Sequence, residues 1–87
     1  MTYALRLSRA ARRSLELELP EAVAVAVWEF INGDLLIKPQ RVGKALRFDL
    51  EGLHSARRGM YRVIYRILEE EVVVEVIKIS HRGDVYA

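Results

Sequence analysis

The feature that most restricts the fold is a pair of adjacent strand-like segments, residues 61–68 and 72–79, separated by three glutamates. In the first segment, apolar and basic residues alternate with the two-residue period of a half-buried β-strand. The second segment is almost wholly apolar, which is typical of a central strand covered on both faces. Together they predict a β-hairpin with an acidic turn, and the rest of the chain must supply the elements that cover it.

The segments before this hairpin predict one more strand and two helices. Residues 3–7 alternate as a short strand, and Ser8 is a good N-cap for a helix that runs to about residue 19. A second helix is expected from Pro20 to Asn32, with Gly33 as its stop. Its AVAVAV stretch is also compatible with a buried strand, but the proline, the glycine and the length favour a helix. Because residues 22–28 lack any polar side chain, this helix is either deeply buried or covered by a partner.

The remaining segments complete an α+β fold. Residues 34–42 are expected to form a loop, and residues 44–50 alternate as a strand that Gly52 ends. The predicted order is an N-terminal strand, an αα-hairpin and a three-stranded antiparallel meander, forming one sheet with the helices on one face. The 87 residues fit a single domain, residues 1–87.

Composition excludes several classes of protein. The chain has no cysteine, so it can hold neither a disulfide nor a thiolate metal site, and its two histidines lack the carboxylate spacing of a zinc site. No glycine-rich phosphate loop is present, so no nucleotide cofactor is expected, and Ser55 lacks the partners of a hydrolytic triad. No apolar run reaches the roughly 20 residues that a membrane span needs, and no signal peptide is recognisable. A soluble, cytoplasmic protein is therefore expected.

The positive charge is concentrated in the middle of the sequence. Residues 38–66 contain eight basic and two acidic residues, a net charge of +6, whereas the whole chain carries only +2. A basic segment between acidic flanks is typical of a face that meets a polyanion, although a solvated surface would give the same pattern. The hairpin and its flanks would gather many of these cations near one another.

Four stretches of the sequence resemble the RelE/ParE superfamily of bacterial toxins. They are VGKALRFDLEGLHSARRG (residues 42–59), GMYRVIYRI (59–67), VVVEVIKI (72–79) and HRGDVY (81–86). The resemblance covers nearly the whole chain and is stronger towards the RelE branch. It implies a fold similar to that of microbial ribonucleases.

The resemblance also implies a function and partners. RelE-type toxins cut mRNA in the ribosomal A site without a metal or cofactor, whereas ParE-type toxins share the fold and poison DNA gyrase. Both are silenced by a cognate antitoxin. The expected function is therefore a ribosome-dependent, metal-independent endoribonuclease of a type II toxin–antitoxin system, with an antitoxin and the mRNA-loaded ribosome as partners. A gyrase inhibitor and a non-catalytic RNA-binding module are the alternatives.

Four residues are expected to act in catalysis. The resemblance assigns charge stabilisation on the scissile phosphate to Arg62 and Arg82, because a guanidinium binds phosphate with two hydrogen bonds and keeps its charge. Tyr86 matches a terminal tyrosine that stacks on a base or orients the nucleophile. His81 is the natural proton-transfer group of this cluster on chemical grounds.

Four further cations are expected to bind the RNA backbone without sequence preference: Lys44, Arg47, Arg57 and Arg58. The lysines that RelE toxins carry on the strand before the YR motif are missing here, where the chain reads LHSAR (residues 53–57). His54 or Arg57 is a possible substitute for them.

Overall fold

The computed structural model describes residues 2–81, and within them five strands form one sheet. The strands are β1 (Ala4–Leu7), β2 (Lys44–Ala45), β3 (His54–Arg58), β4 (Tyr61–Leu68) and β5 (Val73–His81). Their spatial order is β1-β5-β4-β3-β2, with β1 parallel to β5 and every other pair antiparallel. The predicted α+β class and the predicted hairpin, β4 with β5, are both confirmed.

The first helix is held to the sheet by the residue that caps it. Helix α1 (Arg9–Arg13) continues into a π-helical turn, Ser14–Glu18. As predicted, Ser8 is the N-cap, and its Oγ accepts a hydrogen bond from the Ala11 N–H at 3.0 Å. The same hydroxyl donates to the Ile77 carbonyl of β5 at 2.5 Å. One serine therefore both starts the helix and fixes it to the central strand.

The second helix extends past its predicted end. Helix α2 (Glu21–Phe30) continues through a π-helical segment, Ile31–Leu35, and Gly33 kinks this segment (φ −105°, ψ −105°) without ending it. The prediction of a stop at Gly33 and of a loop over residues 34–42 is wrong in this respect. Ile31 and Leu35 are fully buried, and their burial outweighs the weak helix propensity of one glycine. A short helix α3 (Pro39–Val42) follows.

The predicted strand over residues 44–50 is also corrected. Only Lys44–Ala45 pairs as a strand, and the chain then forms a 3₁₀ turn, Phe48–Leu50. The Leu46 N–H donates to the Leu53 carbonyl at 2.9 Å, so residues 46–53 close on themselves. The longer neighbour of β4 is instead β3, which the sequence analysis missed because its polar sequence does not alternate like a half-buried strand.

The hydrophobic core lies between the helices and one face of the sheet. Its buried members from the sheet are Ala56, Val63, Tyr65, Val74, Val76 and Ile79, and those from the helical half are Ala11, Val27, Phe30, Ile31, Leu35 and Leu36. Because side chains alternate along a strand, the neighbours of Ala56, Val63 and Tyr65 project from the opposite face. Within residues 2–81, no helix has the length and apolar character needed to cross a membrane.

Helix α2 buries only part of its apolar surface. Val27 is buried, whereas Val25 and Trp28 are 51% and 44% exposed. With Leu7 and Leu15, these two exposed residues line an open, mainly apolar groove of about 430 Å³ between the first two helices. The expectation that the helix is either deeply buried or covered by a partner is therefore reduced to its second half, which stays a prediction.

Candidate nucleic-acid interface

Two arginines lie side by side on the sheet face opposite the helices. Arg57 on β3 and Arg62 on β4 are direct cross-strand partners, as are Ser55 and Ile64. Like charges directly opposite each other destabilise a strand pair. Such a pair is tolerated where an anion between the two guanidinium groups offsets their repulsion, and a phosphate suits that position because each guanidinium can donate two hydrogen bonds to it.

These arginines line a cavity of about 540 Å³, which we call the cationic cavity. Its lining residues are Arg41, Val42, Gly43, Lys44, Ser55, Arg57 and Arg62. Four of them are cations, and none of these described lining residues is acidic. The cavity therefore concentrates positive potential in a concave site, which attracts a polyanionic backbone from solution.

Gly43 sets the wall of the cavity because the chain passes there without room for a side chain. A Cβ at this position would overlap the Tyr65 hydroxyl and would lie 2.7 Å from the Ser55 carbonyl oxygen. The Tyr65 side chain is fully buried, and its hydroxyl donates to the Pro39 carbonyl at 2.6 Å. Burial raises the pKa of Tyr65 to about 12. The tyrosine thus anchors α3, and with it Arg41, against the sheet.

The structure brings together three of the predicted site residues that lie within residues 2–81. Lys44, Arg57 and Arg62 all line the cationic cavity. Arg58 lies on the other face, where its guanidinium carbon is 5.3 Å from the centre of the Phe30 ring. Arg47 is exposed just before the 3₁₀ turn and does not line the cavity. Arg57 and Arg58, although adjacent in sequence, therefore serve different surroundings.

The two histidines lie apart from the cationic cavity. His81 pairs with Tyr61 across β4 and β5, and its ring meets the tyrosine ring edge-on at 5.4 Å. It lines a second cavity, of about 370 Å³, together with Arg13 and Lys78. His54 stacks on the buried Tyr65 ring at 5.4 Å. Neither histidine is placed beside Arg62, so the catalytic role predicted for His81 stays a prediction.

Two further predicted catalytic residues, Arg82 and Tyr86, lie outside the described residues. The sequence analysis missed three others that form the cationic cavity: Arg41, Gly43 and Ser55. Arg41 could have been noted from its place in the basic middle segment. Nothing local marked Gly43 or Ser55, because their importance depends on strand pairing between distant residues.

Comparison with known proteins agrees with this architecture. Residues 5–86 match the family model described as the ParE toxin of the type II toxin–antitoxin system parDE. The chain is 48% identical to toxin RelG of Mycobacterium tuberculosis over 99% of its own length and 98% of that protein. It is 50% identical to toxin RelE of the same organism, over 97% of its length and 86% of that protein. The chain belongs to this family of type II toxin–antitoxin toxins.

The solved structures place the toxin in the same group. Its fold superposes on a chain from the M. tuberculosis toxin–antitoxin complex RelBE2 with a TM-score of 0.89 and 46% identity, covering 97% of the toxin and 95% of that chain. The named relatives are RelE-type toxins, so the toxin belongs to the RelE branch. The resemblance identified from the sequence is therefore confirmed.

Proposed function

We propose that the toxin is a ribosome-dependent endoribonuclease that cleaves mRNA in the A site and so inhibits translation. The observation that supports this most is the cationic cavity, in which Arg57 and Arg62 face one another across two strands. The ribosome would present the mRNA in the required geometry, and the toxin would supply charge. Such a protein acts in the cytoplasm, where ribosomes translate.

The proposed reaction needs no more than alignment and charge stabilisation at one phosphate. The 2′-oxygen attacks the phosphorus, the bond to the 5′-oxygen breaks, and the products are a 2′,3′-cyclic phosphate and a 5′-hydroxyl. Negative charge develops on the non-bridging oxygens during the attack. Arg62 lies on a central strand between β3 and β5, so its position is well fixed. A fixed guanidinium stabilises this charge without reorganisation.

Replacing Arg62 by alanine tests the proposal. We expect Arg62→Ala to lower the cleavage rate on mRNA-programmed ribosomes by about 10²- to 10³-fold, the usual cost of losing one transition-state donor. Arg66→Ala is the matched control, because Arg66 lies on the same strand, outside the cavity, and pairs with Glu75 at 3.7 Å. Primer extension on the mRNA measures both.

The outcomes separate the alternatives. Unchanged cleavage by Arg62→Ala, or an equal loss in Arg66→Ala, contradicts the assignment of Arg62. DNA breaks in expressing cells with intact translation would identify a gyrase poison instead. Salt-dependent ribosome binding without any mRNA cut would identify a non-catalytic RNA-binding module. The roles predicted for Arg82, Tyr86 and His81 belong to the same assay.

We also propose that the toxin is held inactive by a cognate antitoxin. The M. tuberculosis relative RelBE2 was solved as a toxin–antitoxin complex. Exposed Val25 and Trp28 on α2 leave an apolar surface of the kind that a protein partner covers. Co-purification with the product of the neighbouring gene tests this. A toxin that stays monomeric and well behaved alone, and that binds no such product, contradicts it.

A further inference from the structure

Ser55 holds a buried hydroxyl at the cationic cavity. The residue is 8% exposed, and its Oγ has no hydrogen-bond partner within residues 2–81. Buried hydroxyls are normally hydrogen-bonded, so an exception in a binding site points to a ligand that completes the bond. Since Arg57 and Arg62 line the same cavity, the ligand that fits this hydroxyl is an oxygen of a phosphate group.

Lys44 lies directly across from this serine. The β2–β3 register pairs Lys44 with Ser55, so their side chains project from the same face, with Cβ atoms about 5 Å apart as is usual for such pairs. The tight passage at Gly43 fixes β2 against the Ser55 backbone and therefore fixes where the Lys44 stem begins. An exposed lysine at this position can extend its ammonium over the phosphate that Ser55 and Arg62 would bind.

Lys44 also differs chemically from the other cations of the cavity. Arg41, Arg57 and Arg62 keep their protons under all ordinary conditions, so they can stabilise charge but are poor proton donors. An ammonium group can both carry charge and release a proton. Among the described lining residues, Lys44 is therefore the best candidate for the proton transfer that strand cleavage requires.

We infer that Lys44 is the general acid of the cleavage reaction and that Ser55 binds a non-bridging oxygen of the scissile phosphate. This inference rests on the proposed endoribonuclease function. In the step, the 2′-oxygen bonds to phosphorus as its proton passes to water, and the bond from phosphorus to the 5′-oxygen breaks. Lys44 gives its proton to that 5′-oxygen and regains one from solvent. Protons and charge thus balance over the cycle.

A change of leaving group tests this assignment. A synthetic mRNA that carries sulfur in place of the 5′-bridging oxygen at the cleavage site has a leaving group that departs without protonation. We expect Lys44→Met to cleave ordinary mRNA about 10²- to 10⁴-fold more slowly than the parent toxin, the usual contribution of a general acid. On the sulfur-containing mRNA, Lys44→Met should come within about threefold of the parent.

Matched variants separate charge from proton transfer. Lys44→Arg keeps the charge, so it should behave like Lys44→Met if proton donation is the role of this residue. Lys38→Met removes a lysine that does not line the cavity and should cleave like the parent. Ser55→Ala should lose about 3- to 10-fold on both substrates, as expected for one hydrogen bond. It should not lower Tm, because the hydroxyl makes no bond within residues 2–81.

Several results would overturn the inference. Full activity of Lys44→Arg would show that charge alone is needed, and an equal loss by Lys44→Met on both substrates would exclude a proton donated to the leaving group. A lowered Tm in Ser55→Ala would assign that hydroxyl to the fold. If the parent toxin cleaves no mRNA on ribosomes, the proposed function itself fails. If it cleaves and Arg62→Ala is defective on both substrates while Lys44→Met is normal, only this inference fails.

Discussion

A methyl group added at Gly43 should destabilise the toxin although the backbone there suits any residue. Gly43 has an extended conformation (φ −136°, ψ −178°), so alanine meets no torsional penalty. The Ser55 carbonyl oxygen lies 2.7 Å from the new Cβ, whereas ordinary contact begins at 3.4 Å. Residue 43 must therefore move away from β3 by several tenths of an ångström.

Two costs add up in Gly43→Ala. Overpacking of this kind costs about 1–3 kcal/mol. The displaced Tyr65 hydroxyl also threatens its hydrogen bond to the Pro39 carbonyl, and a buried carbonyl left without a partner costs about 1–3 kcal/mol. A total loss of about 2–4 kcal/mol is expected. At about 2 kcal/mol, Tm falls by about 8–16 °C in a domain of this size.

Urea unfolding followed by far-ultraviolet circular dichroism measures this loss. Gly33→Ala is the matched control, because a Cβ at Gly33 meets no atom within 4 Å, and its free energy of unfolding should change by no more than about 0.5 kcal/mol. In Gly43→Ala/Tyr65→Phe the overlapping hydroxyl is absent, so the two changes should cost less together than separately by about 1 kcal/mol. A Gly43→Ala protein as stable as the parent, or strictly additive costs, would refute this account of the cavity wall.

Two further predictions concern stability. The raised pKa of Tyr65 means that the folded state holds its proton more tightly than the unfolded state. Its contribution of about 2–3 kcal/mol is therefore complete below about pH 10 and is lost as the pH rises to about 12. In urea titrations, Tyr65→Phe should lose stability less steeply than the parent over this range, and equal slopes would contradict the argument. Ser8→Ala removes the N-cap and the bond to the Ile77 carbonyl, so it should cost about 1–3 kcal/mol. Thr2→Ala, at an exposed site, is its control, and equal Tm values for the two variants would disprove the dual role of Ser8.

The hairpin could be predicted because its information is local. Alternation in β4 and the apolar run in β5 are properties of adjacent residues, and Ser8 marks the start of α1 by its residue type alone. The end of α2 could not be predicted in the same way. Gly33 is a good local stop signal, and it is overridden by the burial of Ile31 and Leu35 against a sheet whose strands come later in the chain.

The site was predicted in its members more than in its arrangement. Lys44, Arg57 and Arg62 were expected to meet RNA, and all three line one cavity. Their convergence depends on the pairing of Lys44 with Ser55 and of Arg57 with Arg62, which a sequence does not state. The polar sequence of β3 hid that pairing. Arg58 was given the same role as Arg57, yet alternation along the strand turns it to the helical face.

The parallel pairing of the first strand with the last has a consequence for synthesis. Ala4 to Leu7 pair with Val73 to Val76, so residues made first wait for residues made 69 positions later. Contacts this far apart in sequence form late, because the intervening chain must first be closed into a loop. The cation-bearing strands β3 and β4 also lack the central neighbour β5 until then. A chain released before the codons for β5 are read would have a basic middle segment and no sheet to align it, so the toxin becomes competent only after its own translation is nearly complete.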